Sequence, residues 1–140
     1  MTKNGWGLIG TGRIAEDRIL PGITAHPGNT LVAVVSRDQA RAAAFAKKFG
    51  ARHAYTHYDD MLRNPEVTAV AIHTPNAQHA AQAVAAARAG KHVFCDKPMA
   101  ITVAIQGGIT FHTDMFCKVN TALEVAVIRL VNVPGMRSAK

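Results

Sequence analysis

The stretch Trp6-Gly7-Leu8-Ile9-Gly10-Thr11-Gly12-Arg13-Ile14-Ala15 decides how this chain is read. Its apolar run Trp6 to Ile9 stops at Gly10, and a helical stretch opens at Arg13. Between them lies a G-x-G-x-x-A turn. In such a strand-to-helix turn Gly10 permits the tight reversal, and Gly12, lacking a Cβ, lets the backbone approach a pyrophosphate. Ala15 lets the helix pack closely on its sheet. Free N–H groups and a partial positive charge at the helix N-terminus favour the anion. Gly10, Thr11, Gly12, Arg13 and Ile14 are therefore candidate dinucleotide-binding residues.

Outward from this turn, short apolar runs alternate with alanine-rich helical stretches. Arg13 to Ala25 reads as helix up to Pro27-Gly28, although Pro21-Gly22 should end or kink it early. Leu31 to Val35 and Val67 to Ile72 are uninterrupted apolar runs, the pattern of strands covered on both faces. Asp38 is expected to cap a helix through Phe49, ended by Gly50, and Tyr58 to Arg63 is a helical turn closed by Asn64-Pro65. Asn76 is expected to cap a helix through Ala89, ended by Gly90. His53 to Tyr55 and His92 to Phe94 complete five short strands. Strand and helix alternating in this way predict an α/β fold, a doubly wound parallel sheet of Rossmann type. The pattern covers residues 1–103. From about Thr102 it weakens: Gly107-Gly108 interrupts what should be a helix, and the apolar run Val125 to Val131 fits one helix or a strand pair. Residues 104–140 read as an atypical tail.

The chain has 140 residues, of which 49% are hydrophobic and 18% charged, which excludes wholesale disorder. It has room for one domain and is tight for a two-domain enzyme. The 16 Lys+Arg against 9 Asp+Glu give a formal charge of +7. The cations are scattered from Lys3 to Lys140 with no basic block, so nucleic acid is not the expected partner and a small anionic ligand is. Cys95 and Cys117 lack metal-pair spacing and read as two reduced thiols. His73, His79 and His92 fall on different elements, so no metal site is expected. No apolar run reaches membrane-helix length and the N-terminus lacks a signal-peptide layout, so the expected location is cytoplasmic, without membrane contact.

The end of the second strand bears on the cofactor. An acidic residue there would bind the adenosine ribose hydroxyls and favour NAD. This chain has Ser36-Arg37, a hydroxyl and a guanidinium that suit a 2′-phosphate, with Arg41 one helical turn on as support. NADP is thus the preferred cofactor and NAD the alternative.

A third cluster, Gly90-Lys91-His92-Val93-Phe94-Cys95-Asp96-Lys97-Pro98, places a carboxylate, an ammonium and a proline at the carboxyl end of the fifth strand. Ligands bind at that edge of open α/β sheets. With the glycine turn and Thr74-Pro75-Asn76 followed by His79, the chain resembles the glucose–fructose oxidoreductase/inositol dehydrogenase/MocA family over roughly residues 5 to 103. The resemblance implies an NAD(P)-dependent oxidoreductase acting on sugars, polyols and their derivatives. It implies that Lys97 is the catalytic lysine and Asp96 its carboxylate neighbour, and that Thr74, Pro75, Asn76 and His79 line the cofactor side, with Lys97 also at the cofactor. Asp96 replaces the family's usual Glu and is one methylene shorter. The family also continues into a second domain carrying the substrate pocket and a D-x-x-x-H pair. Here the single candidate, Asp114, has Lys118 at the matching position. The second domain is therefore expected to be absent, the chain to be truncated or shifted in frame near residue 104, and the chain alone to be inactive. Full-length members often assemble as dimers or tetramers through that domain, the basis for expecting a homo-oligomer. The alternative reading is a non-catalytic dinucleotide-binding or redox-sensing module whose tail pairs with another subunit.

Overall fold

The computed structural model of the protein describes residues 3–97 and the strand 126–128. The apolar runs become the strands β1 (Asn4–Ile9), β2 (Asn29–Val35), β3 (His53–Tyr55), β4 (Ala69–Ile72) and β5 (His92–Cys95). These five are parallel, and β6 (Ala126–Ile128) adds to β5 antiparallel, giving the order β3-β2-β1-β4-β5-β6. The helices are α1 (Leu20–Ala25), preceded by a π-helical turn at Ala15–Ile19, α2 (Gln39–Phe49), α3 (Tyr58–Arg63) and α4 (Asn76–Arg88).

Alternation along each strand sends successive side chains to opposite faces, and both faces are covered. Leu8, Val34 and Ala71 meet Ile19, Leu20, Ile23 and Phe45, from the π turn, α1 and α2. One residue on, Ile9, Val35 and Ile72 meet Met61, Leu62, Ala83 and Ala86, from α3 and α4. This is the doubly wound arrangement expected from the sequence.

The register aligns the strand ends: Ile9 lies opposite both Val35 and Ile72, and Ile72 opposite Cys95. The ladder then runs one residue further. Gly10 N–H donates to Val35 O at 3.1 Å, His73 N–H to Ile9 O at 2.8 Å and Asp96 N–H to Ile72 O at 3.0 Å. Gly10, Ser36, His73 and Asp96 are thereby gathered at one sheet edge. The chain winds outward in one direction from β1 to β3 and in the other through β4 and β5. The edge above β1 and β4 is thus a topological switch point, where open α/β sheets bind ligands.

Two local expectations are corrected. Of the end or kink expected at Pro21, the end does not occur: the helix runs to Ala25, with its irregularity in the turn just before Pro21. Leu20 N–H bonds back five residues to Ala15 O, and this wider turn accommodates a proline that would clash with the carbonyl four residues back in a regular α-helix. Asn76 does not cap α4. Pro75 is the capping residue, and Asn76 is the first helical one. Asp38 does cap α2, accepting from Arg41 N–H at 2.8 Å. Within the Val125 to Val131 run, the described residues Ala126–Ile128 form strand β6. The rest of the tail, with Gly107-Gly108, Asp114, Cys117 and Lys118, lies outside the described residues, as does the 103/104 boundary. Among the described residues no helix is long and apolar enough to cross a membrane.

Candidate functional site

The glycine turn sits at the switch point. Gly10 has φ +100°, a conformation that L side chains rarely adopt, and a Cβ there would stand 2.5 Å from His73 O. Chain folding alone therefore demands this glycine. Gly12 differs: a Cβ there would meet nothing within 4 Å. Its missing side chain leaves open space in a cleft of about 680 Å³. The turn forms one wall of that cleft, and the segments after β2, β3 and β4 form the others. Arg13 and Ile14 are exposed at the start of the helix and do not line it.

On the β2 side the polar groups bond to one another. Thr11 hydroxyl donates to Ser36 Oγ at 3.2 Å, and Arg41 donates from Nε to Thr11 Oγ1 at 2.9 Å and from Nη2 to Thr11 O at 2.6 Å. Ser36 Oγ also accepts from Asp38 N–H at 3.4 Å. The Arg41 guanidinium is further held over the Phe45 ring, 5.7 Å from its centroid. Arg41 thus clamps the glycine turn, and it lines the cleft as well. Arg37 is exposed and also lines the cleft, with no side-chain partner of its own among the hydrogen bonds of this wall.

On the β4 side, Thr74 and Pro75 line the cleft, while Asn76 and His79 do not. His79 is 1% exposed, and its Nε2 lies 2.7 Å from Thr74 O, so it braces the loop from behind. Thr74 hydroxyl donates to Gln82 Oε1 at 2.6 Å, and Gln82 Nε2 donates to Gln78 Oε1 at 3.2 Å. Gln78 and Gln82 face the cleft, as do Thr56, His57, Tyr58 and Asp59 after β3. Sequence reasoning missed all six. The i, i+4 spacing of the glutamines on a helix that starts at the switch point was the available signal.

Beyond β5, Lys97 is exposed, and its backbone N–H donates to Asp96 Oδ1 at 2.8 Å. Asp96 Oδ2 lies 3.6 Å from Nδ1 of His73, whose side chain is 3% exposed. Burial pushes the His73 imidazole below its usual range, against the pull of Asp96. The Cys95 thiol is pushed up to about 12, by burial first and then by Asp96, so it stays a packing group rather than a thiolate. Among the described residues no His, Cys, Asp and Glu cluster could hold a metal ion.

A glycine turn opening a helix at the switch point of a doubly wound parallel sheet defines a dinucleotide-binding α/β domain. Residues 5–106 match the Gfo/Idh/MocA model, an oxidoreductase family with an NAD-binding Rossmann fold, and the chain belongs to that family. It is 45% identical over 98 residues to an oxidoreductase, ORF334, of Rhizobium meliloti, covering 70% of this chain and 29% of that protein. It is 40% identical over 100 residues to the 1,5-anhydro-D-fructose reductase of Ensifer adhaerens, covering 71% of this chain and 30% of that one. Among solved structures it is similar to KijD10, a 3-ketoreductase from Actinomadura kijaniata in complex with TDP-benzene and NADP. The identity is 35% and the TM-score 0.68, over 71% of this chain and 31% of that one. The chain thus spans about 30% of the length of the relatives it matches. The resemblance read from the three motifs is borne out.

Proposed function

We propose that this chain is the cofactor half of an oxidoreductase that prefers NADP(H) over NAD(H) and transfers a hydride to or from a sugar- or polyol-type substrate. The observation that carries the reading is the open space at Gly12 beneath a cleft whose β2 wall presents Ser36 and Arg37, while the one carboxylate on that wall, Asp38, is engaged in capping α2. Gly12 leaves room for a pyrophosphate against the helix N-terminus. The Arg37 guanidinium and the Ser36 hydroxyl suit the 2′-phosphate of NADP. The 1,5-anhydro-D-fructose reductase and the NADP-bound 3-ketoreductase among its relatives support both the cofactor and the substrate class.

A bound nicotinamide supplies the hydride chemistry. The Lys97 ammonium would hold the reacting oxygen and stabilise negative charge developing there, and would exchange a proton with it. Asp96 sets the position of the Lys97 backbone. Because the described residues build only the cofactor side, the 140-residue chain by itself is expected to bind dinucleotide without turning over sugars.

Calorimetric titration with NADPH and NADH tests this. Tighter binding of NADPH is expected, with the preference reversed by the double change Ser36→Asp/Arg37→Ala. Failure to bind either nucleotide would sink the reading. A screen of the same chain against sugars and polyols separates cofactor half from active enzyme, and turnover would overturn the expected inactivity.

A further inference from the structure

Both ring nitrogens of His73 are buried without a hydrogen-bond partner. Leaving such a group unsatisfied costs about 1–3 kcal/mol, so folded proteins rarely tolerate it without a reason. The geometry around the ring supplies one. Nδ1 faces Asp96 Oδ2 at 3.6 Å, about 0.5 Å beyond a normal hydrogen bond. The Phe94 ring flanks it, with centroids 5.8 Å apart. Neither backbone is free to drift. His73 N–H is fixed to Ile9 O at 2.8 Å and Asp96 N–H to Ile72 O at 3.0 Å. The other Asp96 oxygen already accepts from Lys97 N–H at 2.8 Å. The carboxylate therefore stands between the end of β4 and the residue that carries the ammonium.

We propose that His73 is a positioning residue: as the Nδ1–H tautomer it holds the Asp96 carboxylate and, through it, the backbone of Lys97. A carboxylate only accepts, so the nitrogen facing it must carry the proton, which leaves Nε2 bare in a neutral ring. Asp96 has a single methylene and cannot reach far from its own backbone. A donor aimed at it from the neighbouring strand end, 3.6 Å away, biases where it lies by charge and dipole rather than by a formed hydrogen bond. The charged and titratable groups that act on the ring are Asp96 after β5 and His79 on α4. Asp96 favours the imidazolium, whereas His79 and burial oppose it.

The contact itself is tested without cofactor, by two-bond nitrogen–proton spectra of the histidine rings in the 140-residue chain, with His73→Phe assigning the resonance. The expected result is the Nδ1–H tautomer, with a titration midpoint that falls further in Asp96→Asn because the charge favouring the imidazolium is gone. An Nε2–H tautomer, or a midpoint indifferent to Asp96→Asn, overturns the contact. Its effect on Lys97 rests on the cofactor reading and is tested with NADPH against adenosine 2′,5′-bisphosphate, which lacks the nicotinamide end. His73→Phe is expected to weaken NADPH about threefold to tenfold while leaving the bisphosphate unchanged. His73→Asn, whose side-chain amide places a donor near the position of Nδ1, restores the affinity. Equal loss for both ligands, no loss for either, or no rescue by Asn overturns the positioning role. A wild-type chain that binds neither ligand defeats the cofactor reading, while the spectra still decide the contact.

Discussion

At the Ser36 end of the cleft, Thr11, Ser36, Asp38 and Arg41 bond to one another at distances from 2.6 to 3.4 Å. At the Asp96 end, the His73 ring faces Asp96 at 3.6 Å without a formed hydrogen bond, and Lys97 is exposed, with its backbone N–H on Asp96. The two ends also differ in how they are tied into the fold. The first is cross-linked by side chains 30 residues apart, whereas the second hangs on a backbone ladder that ends at Asp96. One end is ordered before any ligand arrives, so binding there incurs little of the usual cost of fixing side chains. The other holds polar groups in reserve for whatever completes them. In an enzyme that must grip a cofactor tightly and yet react at its far end, affinity is expected to reside at the first end and chemistry at the second.

The largest effect is expected at the turn both ends share. Gly10→Ala forces a side chain into φ +100° and places its Cβ 2.5 Å from His73 O, so the glycine turn and the β4 end must move apart. A loss of about 2–4 kcal/mol in stability is expected, read by urea or thermal unfolding. Gly12→Val is the counterpart. With nothing within 4 Å of its Cβ, unfolding should stay near wild type while affinity for NADPH falls at least about tenfold. Equal behaviour of the two variants would mean that Gly12, like Gly10, serves only the fold.

Next in size come the two guanidiniums. Arg41→Ala removes both bonds to Thr11 and is expected to cost about 1–3 kcal/mol in stability. It should weaken NADPH and NADH alike, because it acts through the turn. Arg37→Ala should leave unfolding unchanged and reduce NADPH affinity alone, by about tenfold or more. If Arg41→Ala instead spares NADH, its guanidinium leaves Thr11 for the 2′-phosphate when the ligand binds.

The line between these two arginines is also where the sequence stopped being readable. The sheet, its order of elements and the glycine turn follow from local signals: apolar runs of strand length, an Asp cap, glycines at the helix ends. Which arginine is spent on the turn depends on a contact between residues 30 apart, and no local pattern encodes that. Similarly, T-P-N-x-x-H spacing announced His79, but whether it faces the cleft or the core depends on how α4 is rolled against the sheet. Its bond to Thr74 O puts it behind the loop. The same roll turns Gln78 and Gln82 toward the cleft, residues that carry no signature of their own. Pro21 misled for a related reason, since one wider turn at Ala15–Ile19 removes the clash that normally ends a helix.

The smallest effect concerns the Asp96 end and appears as a pH dependence of stability. Burial holds the His73 imidazole below its ordinary value in the folded chain, so between that lowered value and about 6.5 the unfolded chain binds more protons. Stability from this group is therefore fully present above about pH 6.5 and is lost as pH falls toward the folded value. Asp96→Asn removes the charge favouring the imidazolium and should carry the loss to lower pH and enlarge it. His73→Phe should flatten that part of the profile. Urea unfolding of the three proteins at matched pH values provides the check. The differences between variants carry the test. If His73→Phe leaves the slope below pH 6.5 as steep as in wild type, the imidazole already finds water or a partner in the folded chain. The Asp96 end would then be as ordered in advance as the Ser36 end, and the contrast between them would be lost.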